Sequence, residues 1–178
     1  MSRPPSDLPQ RAVQAAMQLA GAAGVRHVTF DAVAAAIGAS KGAVLHHFPT
    51  KGDLIDAMVR ALVAIHRDAV EAARAQDPNP IGAYARAMLE VATPSDRQTE
   101  RGLISALLDE PARATAMREH WAWCHERLAE DGIPPAHVAV IMLASDGAWF
   151  TELLGLPLPP ADAMRDAQRL LEGLTRRT

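Results

Sequence analysis

Two lysines, Lys41 and Lys51, are the only ammonium side chains in the 178-residue sequence, and they lie ten residues apart. Each follows a hydroxyl residue, Ser40 or Thr50, of the type that caps helix N-termini. A helix start has free backbone N–H groups and a positive dipole end, so a neighbouring lysine adds to its attraction for anions. This spacing predicts contacts with phosphate groups.

Short helices must position these side chains. Thr29 is a predicted cap for a helix that ends at Gly38, and Pro49 ends the next helix, which Ser40 caps. The three-residue connection 38–40 is typical of a helix-turn-helix, whose second helix lies in the major groove of DNA. Apolar residues should hold this short helix in place, and the outward-facing residues are then Lys41, Gly42, Ala43, His46 and His47.

The outward-facing residue types suit the reading of DNA. A lysine at the start of the helix can reach a guanine edge or a phosphate, and the small Gly42 and Ala43 let the backbone approach the groove. His46 and His47 can donate to phosphates or bases. Lys51 should bind a phosphate beside the Thr50 cap, and Thr29 offers the same chemistry at its own helix start.

Residues 8–54 resemble the N-terminal domain of TetR-type transcriptional regulators. The resemblance rests on one ordered string of residues: Thr29, Val33, Ala34, Gly38-Ala39-Ser40-Lys41-Gly42, His47-Phe48-Pro49-Thr50-Lys51 and Leu54. It implies base contacts around Lys41, Ala43 and His46, and phosphate contacts from Thr29, His47 and Lys51. The predicted DNA-binding set is Thr29, Ser40, Lys41, Gly42, Ala43, His46, His47, Thr50 and Lys51.

Three positions depart from the family pattern. Leu45 stands where the family usually has a tyrosine that contacts the DNA backbone, Ala43 stands where it often has threonine, and Gly52 replaces a common glutamate. The loss of two hydroxyls should shift more of the DNA contact to Lys41, His46 and His47. Gly52 should slightly weaken the first turn of its helix.

Composition supports a helical protein with one mildly basic end. Nearly half of the residues are apolar, and only 4% are aromatic. Residues 1–60 carry six basic and four acidic side chains, a net charge of +2, whereas the rest of the chain carries −5. The single cysteine excludes an internal disulfide. With neither a signal peptide nor a membrane-spanning run, we expect a cytoplasmic protein that makes no use of a membrane.

The last two helices are the expected dimer interface, at about 135–176. The segment 137–154 is apolar on nearly every side, so part of its surface should meet something beyond the core of its own chain. Met164, Ala167, Leu171 and Leu174 recur at near-heptad spacing in the last helix. The resemblance also implies a homodimer, which a palindromic DNA operator requires. Alternatively, the apolar excess merely fills the core of one chain.

An apolar pocket in the C-terminal part would bind an unknown small-molecule effector. Its predicted lining combines methionine, aromatic and aliphatic side chains with one acid: Ile65, Tyr84, Met88, Leu107, Trp121, Cys124, Met142, Asp146, Trp149 and Phe150. Asp146 would orient a polar or cationic ligand. The more ordinary alternatives are that Asp146 caps a kink at Gly147 or pairs with an arginine across the interface.

Metal binding and catalysis have little support in the sequence. His120 and Cys124 are spaced to present two ligands from one helix face, but a clear third ligand is missing and the neighbouring tryptophans favour packing. No nucleophile motif, phosphate-binding glycine loop or pair of catalytic carboxylates occurs. We therefore expect neither a metal nor a cofactor, and no enzymatic activity.

The sequence thus predicts an all-α fold, in which a three-helix helix-turn-helix domain is joined by a long helix to a helical ligand-binding and dimerisation domain. The predicted domains are 1–55 and 56–178. The predicted function is a repressor that a small molecule releases from double-stranded operator DNA. Two rivals are a helical enzyme or carrier, which would show no salt-sensitive DNA binding, and a DNA-binding protein that has no ligand and a solid core.

Overall fold

A computed structural model describes residues 7–91, 99–100, 102–103 and 114–176 of the chain. All regular secondary structure in these ranges is helical, which confirms the predicted all-α fold. Eight α-helices have both ends in the described part: α1 Leu8–Ala23, α2 Phe30–Ile37, α3 Lys41–His47, α4 Lys51–Gln76, α5 Ala83–Val91, α6 Thr115–Ala129, α7 Pro135–Leu153 and α8 Ala161–Leu174. No helix among the described residues is both long enough and apolar enough to cross a bilayer.

The chain forms two compact units. The first comprises the described residues within Met1–Val63 and Asp96–Met117, and the second those within Ala64–Ser95 and Arg118–Thr178. Helix α4 is continuous and contributes residues to both units. The division of function between residues 1–55 and 56–178 stays a prediction.

Local capping defines the helix ends in the first unit. The Thr29 hydroxyl oxygen accepts a hydrogen bond from Ala32 N–H at 3.1 Å, and Ser40 accepts one from Ala43 N–H at the same distance. Each cap satisfies a backbone donor that the first turn of a helix leaves without a partner. Gly38 has φ +66°, a left-handed conformation that glycine adopts without a steric penalty, and it turns the chain from α2 towards α3.

Small alanines allow the helices of the first unit to pack closely. Ala12, Ala16 and Ala20 on α1 are fully buried, together with Val33 on α2 and Val44 on α3. The same unit contains a very close approach at Gly102, where an added Cβ would lie 2.5 Å from the Val25 side chain. This core fixes α3 by one face only, so the opposite face remains available.

The second unit has a core of its own, built from α5, α6, α7 and the connection between α6 and α7. The buried members are Ala85, Leu89, Leu128, Ile133 and Ile141. Leu171 and Leu174 of α8 pack against this cluster. The near-heptad residues that the sequence assigned to the dimer interface are thus partly core residues of their own chain. Leu170, one position earlier, is 73% exposed instead.

Buried polar groups secure the start of α5. The carboxylate of Asp131 accepts hydrogen bonds from the backbone N–H groups of Tyr84 and Ala85, at 3.0 and 2.8 Å. Arg86 forms a salt bridge with Asp77 at 2.6 Å, which lowers the pKa of that carboxyl chiefly through the hydrogen bond from the guanidinium. These contacts hold α5 in the unit that contains most of the predicted pocket residues.

Candidate DNA interface and ligand site

The outward face of α3 presents the side chains that the sequence assigned to DNA. Lys41, Gly42, His46 and His47 are exposed, and Ala43 is half-buried. The imidazole rings of His46 and His47 contact each other edge to face, with centroids 5.2 Å apart. Val44 points the other way and is fully buried. The short helix therefore offers one polar face with small residues at its N-terminal end.

The Lys41 ammonium already has a partner within the first unit. Its Nζ lies 2.9 Å from Asp31 Oδ2 in the first turn of α2, and both side chains are more than half exposed. Sequence reasoning assigned Lys41 to DNA but gave no part to Asp31. Because an ammonium has three N–H donors, Lys41 retains capacity for a further acceptor while this ion pair persists.

The start of α4 already contains an anionic side chain. Asp53 accepts hydrogen bonds from the Thr50 backbone N–H at 2.9 Å and from its hydroxyl at 2.7 Å, and Asp53 N–H donates to the Thr50 oxygen at 3.1 Å. This reciprocal arrangement is a capping box. Lys51 is exposed and donates to the Arg26 carbonyl at 3.4 Å. The cationic side chain that the sequence assigned to a phosphate is thus exposed at this helix start.

A continuous run of aromatic rings crosses the second unit. We call it the aromatic run and define it by successive ring contacts with centroids 4.9 to 6.4 Å apart, through Tyr84, Trp123, His120, Trp121, Trp149 and Phe150. Such separations are typical of favourable edge-to-face and stacked pairs. The run brings together four of the predicted pocket residues and connects residues of α5, α6 and α7.

Asp146 lies beside this aromatic run. The Trp121 indole Nε1–H donates to Asp146 Oδ2 at 3.3 Å, and both side chains are half-buried. The contact explains how an acid is accommodated on a largely apolar helix, since one of its carboxylate oxygens has a hydrogen-bond donor. Trp149 lies on the same helix as Asp146, and its ring contacts that of Trp121. The Trp149 ring also contacts Phe150. A negative charge thus adjoins several aromatic rings.

His120 forms a second polar cluster within the aromatic run. Arg67 Nε–H donates to its Nδ1 at 3.3 Å, which places the imidazole proton on Nε2, 3.8 Å from Cys124 Sγ. Burial, then the nearby His66 and Arg67, lowers the pKa of His120 to about 4. Burial and Arg67 also lower the pKa of His66, whose ring meets His120 edge to face at 4.8 Å. The His120 ring is therefore neutral near pH 7.

Cys124 is a poor nucleophile in this setting. Burial raises the pKa of its thiol to about 11, with a smaller contribution from the negative charge of Asp146. Because only the thiolate binds metals and attacks electrophiles well, the environment favours a packing role. Across the residues that the structure describes, no three His, Cys, Asp or Glu side chains are grouped to hold a metal ion.

The other predicted pocket residues are placed differently. Met88 and Met142 pack against the core cluster of the second unit, and so does Tyr84. Tyr84 OH donates to Glu71 at 3.1 Å, and burial followed by that hydrogen bond raises its pKa. Ile65 is 62% exposed. Leu107 lies outside the described residues.

Three residues of the site in the second unit were not predicted from the sequence: His66, Arg67 and Trp123. Arg67 stacks over the Trp123 ring at 5.2 Å, in addition to its bond to His120. The spacing of His66 and Arg67 on α4 gave no signal, because their partners on α6 are more than fifty residues away. Trp123 was visible in the sequence only as an indication of packing.

An exposed apolar stripe runs along α7. We call it the α7 stripe and define it by Val140, Leu143, Phe150 and Leu154, which are 48% to 74% exposed. The first three lie on one face of α7, and Leu154 is its C-cap residue. Their spacing of three, seven and four residues matches the apolar seam of packed helix pairs. Large apolar side chains arranged in this way typically mark a protein interface.

Two family models match this chain, one near its N-terminus and one over its C-terminal part. The family model of bacterial regulatory proteins of the tetR family matches residues 12–58. The model described as the tetracyclin repressor-like C-terminal domain matches residues 81–176. No curated protein matches the sequence significantly.

Solved structures share the fold over nearly the whole chain. The multidrug binding protein EbrR complexed with ethidium is 25% identical, with a TM-score of 0.69 over 96% of this chain and 99% of its own. The proflavin complex of EbrR is 26% identical, with a TM-score of 0.59 over 94% and 99%. A TetR family member from Streptomyces coelicolor A3 is 24% identical, with a TM-score of 0.69 over 97% and 100%.

The N-terminal model covers the helix-turn-helix, and the C-terminal model alone covers more than half of the sequence. This chain belongs to the TetR family of transcriptional regulators.

Proposed function

We propose that this chain is a cytoplasmic repressor that binds a palindromic operator as a homodimer and leaves it when a planar aromatic cation binds beside Asp146. Members of its family are DNA-binding transcriptional regulators. The observation that supports the ligand class is the half-buried carboxylate of Asp146, which accepts a hydrogen bond from Trp121, whose ring in turn contacts the Trp149 ring.

The chemistry of this site favours a cation with an aromatic body. Aromatic faces attract cations through the ring quadrupole, and a carboxylate in a partly dry site strengthens that attraction. EbrR, at 25% and 26% identity, is complexed with ethidium and proflavin, which are both planar aromatic cations. Asp146 would neutralise the ligand charge while the aromatic run stacks against its rings.

The DNA-binding role is assigned to the exposed face of α3 and to Lys51. We assign the reading of bases to Lys41, Ala43 and His46, and phosphate contacts to Thr29, His47 and Lys51. Ser40, Gly42 and Thr50 shape the two helix starts and the close approach to the groove. Two copies of the helix-turn-helix domain on one operator require a dimer, for which the α7 stripe offers an exposed apolar surface.

Release of DNA follows from linkage between the two sites. A ligand that prefers one conformation of the second unit disfavours the conformation that binds DNA, and a coupling of about 1–3 kcal/mol changes operator affinity 5- to 150-fold. Helix α4 is the continuous element that contributes residues to both units, so we assign the coupling to it.

The experiment begins with selection of duplexes from a random-sequence library by the purified full chain. The selected duplex is then titrated with the protein and with proflavin. We expect a preferred palindromic duplex and its release by micromolar proflavin. Because proflavin also intercalates into DNA, the control is Asp146→Asn, which should need at least tenfold more dye for release.

Two results would contradict the proposal. Failure to enrich any duplex at low ionic strength would remove the DNA-binding assignment. Equal release of the wild type and of Asp146→Asn would show that Asp146 does not bind the dye, and the proposed ligand site would then be wrong.

A further inference from the structure

Asp31 and Lys41 form an ion pair that links the first turn of α2 to the first turn of α3. Their charged atoms are 2.9 Å apart, and the two side chains retain 70% and 53% exposure, respectively. Both residues belong to the first unit, and the Thr29 and Ser40 caps fix the helix starts on which they lie. The recognition helix therefore presents its lysine together with a carboxylate.

We propose that Asp31 is a specificity-determining residue, which positions Lys41 for a base acceptor and weakens binding to DNA of any other sequence. The inference rests on the proposed function, because it requires α3 to enter the major groove. Asp31 acts through Lys41 and is a positioning residue, not a base-contacting one.

The two kinds of DNA complex use the ammonium differently. In a non-specific complex, backbone phosphates supply nearly all of the attraction, and a phosphate must compete with Asp31 for Lys41 while Asp31 repels it. In the operator complex, a guanine edge needs only one or two N–H donors, so Lys41 can contact the base and keep Asp31. The carboxylate thus penalises non-specific binding more than specific binding.

Preorganisation adds to this difference. A free lysine side chain loses rotamer freedom when it is held against a base edge, and Asp31 restricts that freedom before DNA arrives. Because an exposed ion pair is weak, the effect should be moderate and sensitive to salt. We expect a change of about three- to tenfold in affinity, not a loss of binding.

Asp31→Asn tests the proposal in the full chain. The probes are the duplex that the wild type selects and an unselected random-sequence duplex of equal length, titrated by fluorescence anisotropy at several salt concentrations. The variant should bind the random duplex about three- to tenfold more tightly, with a log–log salt slope steeper by about one. The ratio of selected to random affinity should fall by a similar factor.

Asp7→Asn is the matched control. Asp7 is also an exposed aspartate paired with a cation, at 3.7 Å from Arg11, and its side chain forms no capping hydrogen bond. Asp7→Asn raises the net charge by the same amount as Asp31→Asn. It should nevertheless leave the ratio of selected to random affinity within about twofold of the wild type. Circular dichroism checks that both variants retain their helical content.

A double variant tests whether Asp31 acts through its partner. In the Lys41→Ala background, the effect of Asp31→Asn on the ratio should shrink to within about twofold, because no ammonium remains to be positioned and only the screened repulsion between Asp31 and phosphate is left. An undiminished effect in that background would overturn the positioning role. If Asp31→Asn and Asp7→Asn change the ratio alike, the net charge explains the change and the proposal is wrong. A wild type that selects no duplex would instead overturn the proposed function, and this inference with it.

Discussion

The indole N–H of Trp121 on α6 donates a hydrogen bond to Asp146 on α7 across 3.3 Å. This contact links an aromatic ring and a negative charge that are 25 positions apart in the sequence. Asp146 has two possible roles: it accepts the hydrogen bond from the indole, or it also binds a cation. The two roles can be distinguished by substitution, because only the second requires the negative charge.

Asp146→Asn should weaken binding of ethidium to the DNA-free protein about tenfold, because the amide keeps an acceptor for Trp121 but lacks the charge. Dye fluorescence measures the Kd directly. Trp121→Phe keeps the charge and should change the Kd less than threefold. The control is Glu126→Gln, an exposed carboxylate of α6. An unchanged Kd in Asp146→Asn would assign the residue a packing role only.

Lys51→Ala should lower affinity for every duplex by a similar factor and reduce the magnitude of the log–log salt slope by about one, since it removes one phosphate contact. Lys41→Ala should instead change which bases are preferred. Selection from a random library with each variant measures both effects. Lys51→Arg retains the charge and should bind like the wild type, and loss of sequence preference in Lys51→Ala would reverse the two assignments.

Leu143→Arg should convert the proposed dimer to a monomer. Leu143 is 74% exposed at the centre of the α7 stripe, and a buried arginine without a partner would oppose association. Light scattering after size-exclusion chromatography should give twice the 19.0 kDa chain mass for the wild type and the mass of one chain for the variant. Ala122→Arg, on an exposed position of α6, should remain a dimer, and a dimeric Leu143→Arg would place the interface elsewhere.

His120 should make stability fall as pH drops from about 6.5 to about 4. The folded pKa is about 4, below the unfolded value near 6.5, so the unfolded chain binds more protons in this window. The stabilising contribution is full above pH 6.5 and is lost progressively as the pH falls through this window. His66, whose pKa is also lowered, adds to the same trend.

Urea unfolding at several pH values measures this dependence. His120→Gln cannot titrate and keeps an acceptor for Arg67, so its free energy of unfolding should fall much less between pH 7 and pH 4. His125→Gln, an exposed neighbour on α6, should follow the wild type. Parallel curves for all three proteins would show that His120 is not responsible.

Cys124 should react slowly with Ellman's reagent in the folded protein. A rise in the thiol pKa from 9.0 to about 11 lowers the thiolate fraction at pH 8 about a hundredfold. The chain has one cysteine, so the absorbance change reports that thiol alone. Reaction in urea should be fast, and an equally fast reaction without urea would contradict the buried environment of Cys124.

Local chemistry in the sequence determined the helix boundaries of the DNA-binding head. Ser40 and Thr50 cap the helices predicted to follow them, Gly38 has the left-handed conformation expected at a helix end, and α3 ends just before Pro49. Each of these signals acts within about four residues, through a backbone hydrogen bond or a φ restriction, so it can be recognised without knowing what packs nearby. The ordered string of residues also identified the family.

Side-chain partnerships were decided only by the tertiary structure. The sequence singled out Lys41 but not Asp31, and it noted His120 and Trp121 without Arg67 or the contact to Asp146. In α8 the apolar period was visible, yet only packing shows that Leu171 lies against its own core while Leu170 is exposed. Helical periodicity gives the relative directions of side chains, whereas the rotation of each helix against its neighbours depends on residues far apart in the sequence.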